Sequence, residues 1–338
     1  MTHHHPMTMT ARCPEDLLAM VPVTLGFVPE ESVVMLTFGG RAFQARVDLP
    51  ASRDEVSEVV ASLLEPACLH RVRQVVFVLY TGDEALAGHL WRGLRDRCRR
   101  EGIDVVEALR ADGGRWFPLA HGSHLLREVG VPYDVSAHPF QVDAVLHGRV
   151  THRSRRDLAE TLRPDPDRVA AVAAALREPV GDRTGRWDRT HPPEVSVMLE
   201  EGRWVQETVR AHVATGSRPS DADAARLLHA VVLLRLRDAA WELIERPRAA
   251  AHVELWSDLV RRCPRELVAG PGTLLGWAAW QAGHGALAWC ALDRVLEVEP
   301  DYTLAAHLAL VLEHAVPPEA WEVDFDWAEG LRPVGRSA

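Results

Sequence analysis

The chain of 338 residues carries 38 basic side chains, all arginine, against 48 carboxylates for a net charge of −10, and it contains neither lysine nor asparagine. The missing lysine excludes a phosphate-cradling P-loop, a kinase strand lysine and Schiff-base chemistry, and the missing asparagine excludes N-glycosylation and a Cys-His-Asn protease arrangement. The acidic balance argues against a nucleic-acid binder, which needs a basic face to displace phosphate counterions, while 47% hydrophobic content at this length suits two domains, each with a core.

At the start, an apolar run over residues 16–28 has Glu15 and Asp16 before it and Glu30 and Glu31 after it, a pattern that opposes a cleavable signal peptide. No segment reaches the roughly 18 uninterrupted apolar residues of a membrane span. Cys13, Cys68, Cys98, Cys263 and Cys290 are odd in number and lack a C-x-x-C pair, which reads as free thiols of a cytoplasmic protein.

Residues 32–38 (SVVMLTF) and 43–49 (FQARVDL) are rich in β-formers and separated by Gly39-Gly40, which predicts a hairpin. Val56, Val59, Val60, Leu63 and Leu64 recur at helical intervals ahead of Pro66, expected to stop that helix, and residues 74–80 (QVVFVLY) read as a strand buried on both faces. An amphipathic helix over 84–100 ends at Gly102, and the basic run 92–100 has the spacing of its solvated face. A strand over 104–110 turns at Asp112-Gly113-Gly114 toward residues 115–119. Strands alternating with helices imply an α/β domain over 13–152, with a mixed sheet of hairpins and crossover helices.

In such sheets ligands gather at strand carboxyl ends. Here these ends carry Arg46 and Asp48, then Tyr80, Thr81 and Asp83, then Asp112 and Arg115. Together they could hold a polar ligand or perform acid-base work. Equally, Asp83 can cap a helix, Asp112 can begin a turn and Asp48 can simply end a strand. His121, His124, His138, His147 and His152 follow among glycines and prolines; they lack a metal-ligand spacing such as H-E-x-x-H and read as surface-loop histidines. Gly122-Ser123 has no G-x-S-x-G frame.

Residues 163–167 (RPDPD) break the chain before a helix over 168–177, and residues 178–193 form a connector rich in proline, glycine and charge. A linker region over 153–193 therefore precedes an all-α domain over 194–330. Helices are expected at 194–212 and 221–237, the second capped by Ser220. Self-comparison finds a 36-residue repeat that pairs Trp241 with Trp277, Leu259 with Val295 and Pro264 with Pro300. Its second unit sets Leu275-Gly276, Gly283, Ala288 and Pro300 at tetratricopeptide positions, with Ala279 and Val295 departing from that pattern. Gly283-x-Gly285-x-x-Ala288 also fits a dinucleotide fingerprint, but a helix precedes it where a strand is required. Trp277, Trp280 and Trp289 are expected in the core of this stack or lining a groove for a partner.

Several blocks, among them LLAMVPVTLGFVPEESVVML (17–36), ALRADGGRWF (108–117), DAVLHGR (143–149) and AWQAGHGALAWCALDRVLEVEPDYTLA (279–305), resemble an actinobacterial family, the domain of unknown function DUF4192. The resemblance spans nearly the whole chain and implies this two-part architecture without an assigned activity. The expected function is a non-enzymatic cytoplasmic adaptor for a protein partner, acting without cofactor, metal, nucleic acid or membrane. The alternative is a small-ligand binder or enzyme using the strand-end cluster.

Overall fold

The computed structural model describes residues 9–39, 42–177, 190–322 and 324–331. The His3–His5 run, the second glycine of the expected hairpin turn and residues 178–189 of the connector lie outside them. The chain divides into two compact units, the first running to Leu158 and including Glu313–Val316, the second running from Ala159 to Leu312 and resuming at Pro317.

In the first unit, α1 (Pro14–Leu25) opens with a proline in its first turn, where the missing N–H has no intrahelical partner to lose, and closes on Gly26 at φ +81°. The strands β1 (Ser32–Phe38) and β2 (Gln44–Asp48) pair antiparallel as expected. Next comes α2 (Val56–Leu69), which does not stop at Pro66. That proline sits in the last turn, where a single carbonyl, that of Ser62, forfeits its helical bond, and the helix continues to Leu69. The chain then adds β3 (Gln74–Tyr80), α3 (Glu84–Glu101), β4 (Asp104–Asp112) and β5 (Arg115–Pro118). Residues 121–152 are not the plain loop the sequence suggested. They form α4 (His124–Val129), the short β6 (Val131–Pro132) and α5 (Pro139–Leu146), and α6 (Arg155–Glu160) spans the division between units.

The six strands lie in the order β2-β1-β3-β4-β5-β6, with β3 and β4 parallel and the other pairs antiparallel. Both faces are covered, which explains why β1 and β3 are apolar at nearly every position rather than at alternate ones. Val33, Met35, Phe77 and Leu79 face a core built with α2 and α3. Val34, Leu36, Val78 and Tyr80 face the opposite way, against Leu17, Leu18 and Val21 of α1.

Among its described residues the second unit has helices and no strand: α7 (Pro166–Ala175), α8 (Val195–Thr215), α9 (Asp221–Ala230), α10 (Leu234–Trp241), α11 (Ala249–Arg262), α12 (Ala269–Gln281), α13 (Gly285–Val298) and α14 (Thr303–Glu313). The helix expected over 221–237 is two helices, interrupted at Val231. There the start of α12 presses on the chain, and a Cβ on Gly270 would lie 2.7 Å from the Val231 carbonyl oxygen. Of the two 36-residue repeats, only the second is a helical hairpin, α12 packing on α13 with Gly283 at φ +79° in the turn; in the first, α10 packs on α8 while α11 packs on α12. The stretch read as a connector is divided: α7 belongs to this unit, since Arg168 bonds Asp258 at 2.9 Å and the Asp165 amide donates to the Arg261 carbonyl.

Arg262 is 2% exposed and ion-paired with Asp258 one turn earlier, while its guanidinium also donates to the Pro219 carbonyl at 3.0 Å. This pair joins α7, α11 and the entry to α9. Removing one member would leave the other buried without compensation, so Asp258→Ala should cost about 3–5 kcal/mol in urea unfolding, and adding Arg262→Met should recover much of it. Equal losses in the single and double variants would show that the pair does not act as a unit.

His252 on α11 is 1% exposed. Burial, assisted by the charge of Arg248 and opposed by a hydrogen bond at Leu243, pulls its pKa down from 6.5 to about 4. The folded chain therefore resists a proton that the unfolded chain accepts below pH 6.5. Stability should be intact above that value and fall by about 3 kcal/mol on reaching pH 4. His252→Phe should flatten this part of the pH–stability curve, and an unchanged slope between pH 6.5 and 4 would refute the assignment.

Candidate functional site

The ladder registers bring the strand-end candidates to one edge of the sheet. Ser32 pairs with both Asp48 and Tyr80, Tyr80 with Ala111, and Asp112 with Arg115. Asp83 follows β3 in the turn. Sharing an edge does not make the side chains converge, because strand residues alternate faces. Tyr80 turns into the core beneath α1, where its hydroxyl is buried without a partner. Burial, with the neighbouring Tyr133, pushes the phenol far above its ordinary pKa. Arg46 bonds Asp48 at 2.6 Å and reaches the Glu30 carbonyl at 3.3 Å. The Asp83 carboxylate accepts the Leu86 amide at 2.9 Å and so caps α3. Arg115 donates to the Val129 and Gly130 carbonyls at 2.9 and 3.1 Å, which fastens the end of α4.

Beside them stand two residues that the sequence did not single out, Glu31 and Arg110. The Thr81 hydroxyl donates to the Glu31 carboxylate at 3.2 Å and accepts the Asp83 amide at 3.1 Å. Arg110, 6% exposed, donates to the Thr81 carbonyl at 3.3 Å, approaches Asp112 to 3.6 Å and lies 3.9 Å above the Phe117 ring. A buried cation stacked on an aromatic and tied to the end of β3 fixes this edge in place. The only sequence signal for it was an arginine interrupting the apolar half of a strand.

Among the histidines, His138 departs from a surface-loop role. Its Nδ1 accepts the Phe140 amide at 3.2 Å, so Nε2 carries the proton and donates to Asp16 at 3.1 Å. Both ring nitrogens are thereby committed. Asp16 is held below the ordinary carboxylate range chiefly by the Arg12 amide, against the cost of burial and with help from His138. His124 and His147 pair with Glu128 and Asp143 one turn away on exposed helices. Among the described residues no three His, Cys, Asp or Glu side chains gather as metal ligands. All five cysteines are free thiols, and burial pushes Cys98 and Cys263 up to about 12, which keeps them protonated and inert.

In the helical unit Trp277 and Trp280 are buried, and Trp289 on α13 is half-buried. The equivalent repeat positions Trp241 and Trp277 meet edge to face at 4.9 Å. Trp321 stacks on Trp241 at 5.6 Å and meets Trp277 at 4.9 Å, and Phe325 lies 4.9 Å from Trp241. The tryptophan face is thus covered by the chain's own C-terminal segment. The alternation WEVDFDW over 321–327 could have drawn attention to it.

A different apolar surface is open. On α4 and α5 and just beyond, Leu125, Val129, Val142, Val145, Leu146 and Val150 are exposed, with Leu146 at 79% and Val145 at 71%. Val142, Val145 and Leu146 stand at helical i, i+3 and i+4, while Ala144 faces inward. Reading the segment as a histidine loop concealed this stripe.

No helix among the described residues is long and apolar enough to cross a membrane. No curated protein and no solved structure gives a significant match to the chain. The family model described as Domain of unknown function (DUF4192) matches residues 14–319, a span that takes in every strand and helix from α1 to α14, and the chain belongs to that family.

Proposed function

We propose that the protein is a non-enzymatic binding module that docks a protein partner through the exposed apolar stripe of α5. The exposure of Val142, Val145 and Leu146 on one side of a helix carries this reading. Water-facing apolar side chains grouped at helical spacing mark an interaction site far more often than singly scattered ones do. The net charge of −10 offsets the tendency of such a surface to aggregate. The strand-end cluster favours the same conclusion over a small-ligand site: Arg46, Asp83 and Arg115 hold structural partners, and Tyr80 faces the core. Free cysteines with buried, protonated thiols suit a reducing cytoplasm of the kind the actinobacterial resemblance implies. The helices α11, α12 and α13, packed in succession, serve in this reading as a rigid support rather than as the docking face.

A photo-crosslinking residue at Leu146 should capture one discrete partner in cells. Val145→Glu with Leu146→Glu should abolish that capture while changing stability by no more than about 0.5 kcal/mol, as expected for exposed positions. A crosslinking pattern without a discrete product, or one that the double variant leaves intact, would dismiss the stripe as the docking surface.

A further inference from the structure

Beyond the α5 stripe, and independent of it, the second unit contains a seated peptide. From Trp321 to Asp326 the C-terminal segment has neither helix nor strand among its described residues, so rings rather than a backbone ladder hold it. Trp321 and Phe325 lie on Trp241. Trp327, 4% exposed, fills a notch over Gly202 of α8, where any Cβ would enter the indole ring. Arg235 of α10 donates to the Trp327 carbonyl at 3.3 Å, and Arg246 pairs with Glu319. The acidic residues Glu322, Asp324 and Asp326 alternate with the anchors. The matched family region stops at residue 319, so the helices that build this face lie within it and the aromatic anchors lie outside.

The seat is also chemically incomplete. On the face itself, the indole N–H groups of Trp241 and Trp277 are buried without an acceptor, although buried indoles ordinarily find one. Each unpaired donor removes part of the free energy that ring burial supplies. A peptide placing carboxylate or carbonyl oxygens at those nitrogens would bind this face better than the resident segment does.

From this we infer that the face formed by Gly202, Arg235, Trp241 and Trp277 is a groove for an acidic, tryptophan-bearing extended peptide of a partner, and that segment 317–331 is a resident occupant holding it shut. Gly202 sets the pocket for the last aromatic anchor, Trp241 the platform for the first two, and Arg235 the polar clamp.

The test uses the full-length chain and a fluorescein-labelled peptide of residues 317–331. Trp321→Ala with Phe325→Ala and Trp327→Ala should release the tail, leave a cooperatively melting helical protein, and bind the peptide at least tenfold more tightly than the wild-type chain does. Adding Trp241→Ala should abolish that binding. In the wild-type chain, amides of residues 321–328 should exchange with deuterium at least tenfold faster than those of α12. A triple variant that fails to melt cooperatively and is not restored by the peptide, or tail amides protected as strongly as α12, would make the segment an ordinary part of the core and overturn the proposal. A wild-type dimer that the triple variant lacks would equally overturn it, in favour of tails exchanged between copies.

Discussion

The packing of the second unit centres on α12, whose thirteen residues are all buried and which touches α10, α11 and α13 directly. A helix with no wet side must find packing in every direction, so its sequence, AGPGTLLGWAAWQ, shows no amphipathic stripe. Gly270, Gly272 and Gly276 let neighbours come to its backbone: a Cβ would lie 2.7 Å from the Val231 oxygen at the first, 2.5 Å from a Val295 methyl at the second and 3.1 Å from a Leu308 methyl at the third. Each interior glycine costs about 1 kcal/mol of helix propensity. Close approach offsets that through dispersion contacts that larger residues would prevent. The same approach at Gly270 coincides with the break that separates α9 from α10. It also sets Trp277 against Trp241, the point from which the aromatic face extends.

An interior assembled this way has few places for charge, and arginine occupies them. Arg262 lies between Asp258 and the Pro219 carbonyl, Arg237 bonds Asp238 and the Tyr302 hydroxyl, and at the margin the half-buried Arg226 holds the buried Glu201 with two bonds while stacking on Trp204. In the first unit Arg110 does the same on Phe117. A planar guanidinium can stack and fork at once, whereas an ammonium concentrates its charge and binds water more strongly. A chain whose cations are all arginine can therefore place several of them inside.

How much of this the sequence disclosed depended on the physical range of the signal. The unbroken apolar runs of β1 and β3 and the 3.6-residue period of α2 and α3 are local signals, and the boundaries of these elements were readable to within a few residues. The Asp83 and Ser220 caps were readable for the same reason. What escaped was decided by tertiary contact. Pro66 looked like a stop because propensity knows nothing of a last turn that packs well, and Val231 looked helical because nothing local announces Gly270 against it. At the strand ends the register gathered the candidates at one edge, yet side-chain direction separated Tyr80 from Arg110. That separation follows from alternation along β3 and β4 and could have been counted. The coverage of Trp241 and Trp277 by Trp321 could not, since the two regions lie some eighty and forty residues apart in the chain with only a repeat of aromatic and acidic residues as a hint.

The two apolar surfaces differ in a way that bears on what each can do. On α5 the side chains Val145 and Leu146 stand in water, so a partner that covers them gains the full transfer free energy of their burial, about 25 cal/mol per Å². On the tryptophan face that transfer has already occurred, and a newcomer gains only the difference between its fit and that of the resident segment. An open stripe therefore sets affinity by its area and responds to partner concentration alone. In the proposed groove, a competing peptide would have to supply what Trp321, Phe325 and Trp327 supply and add acceptors for the indole N–H groups of Trp241 and Trp277, so selectivity rather than area would decide binding.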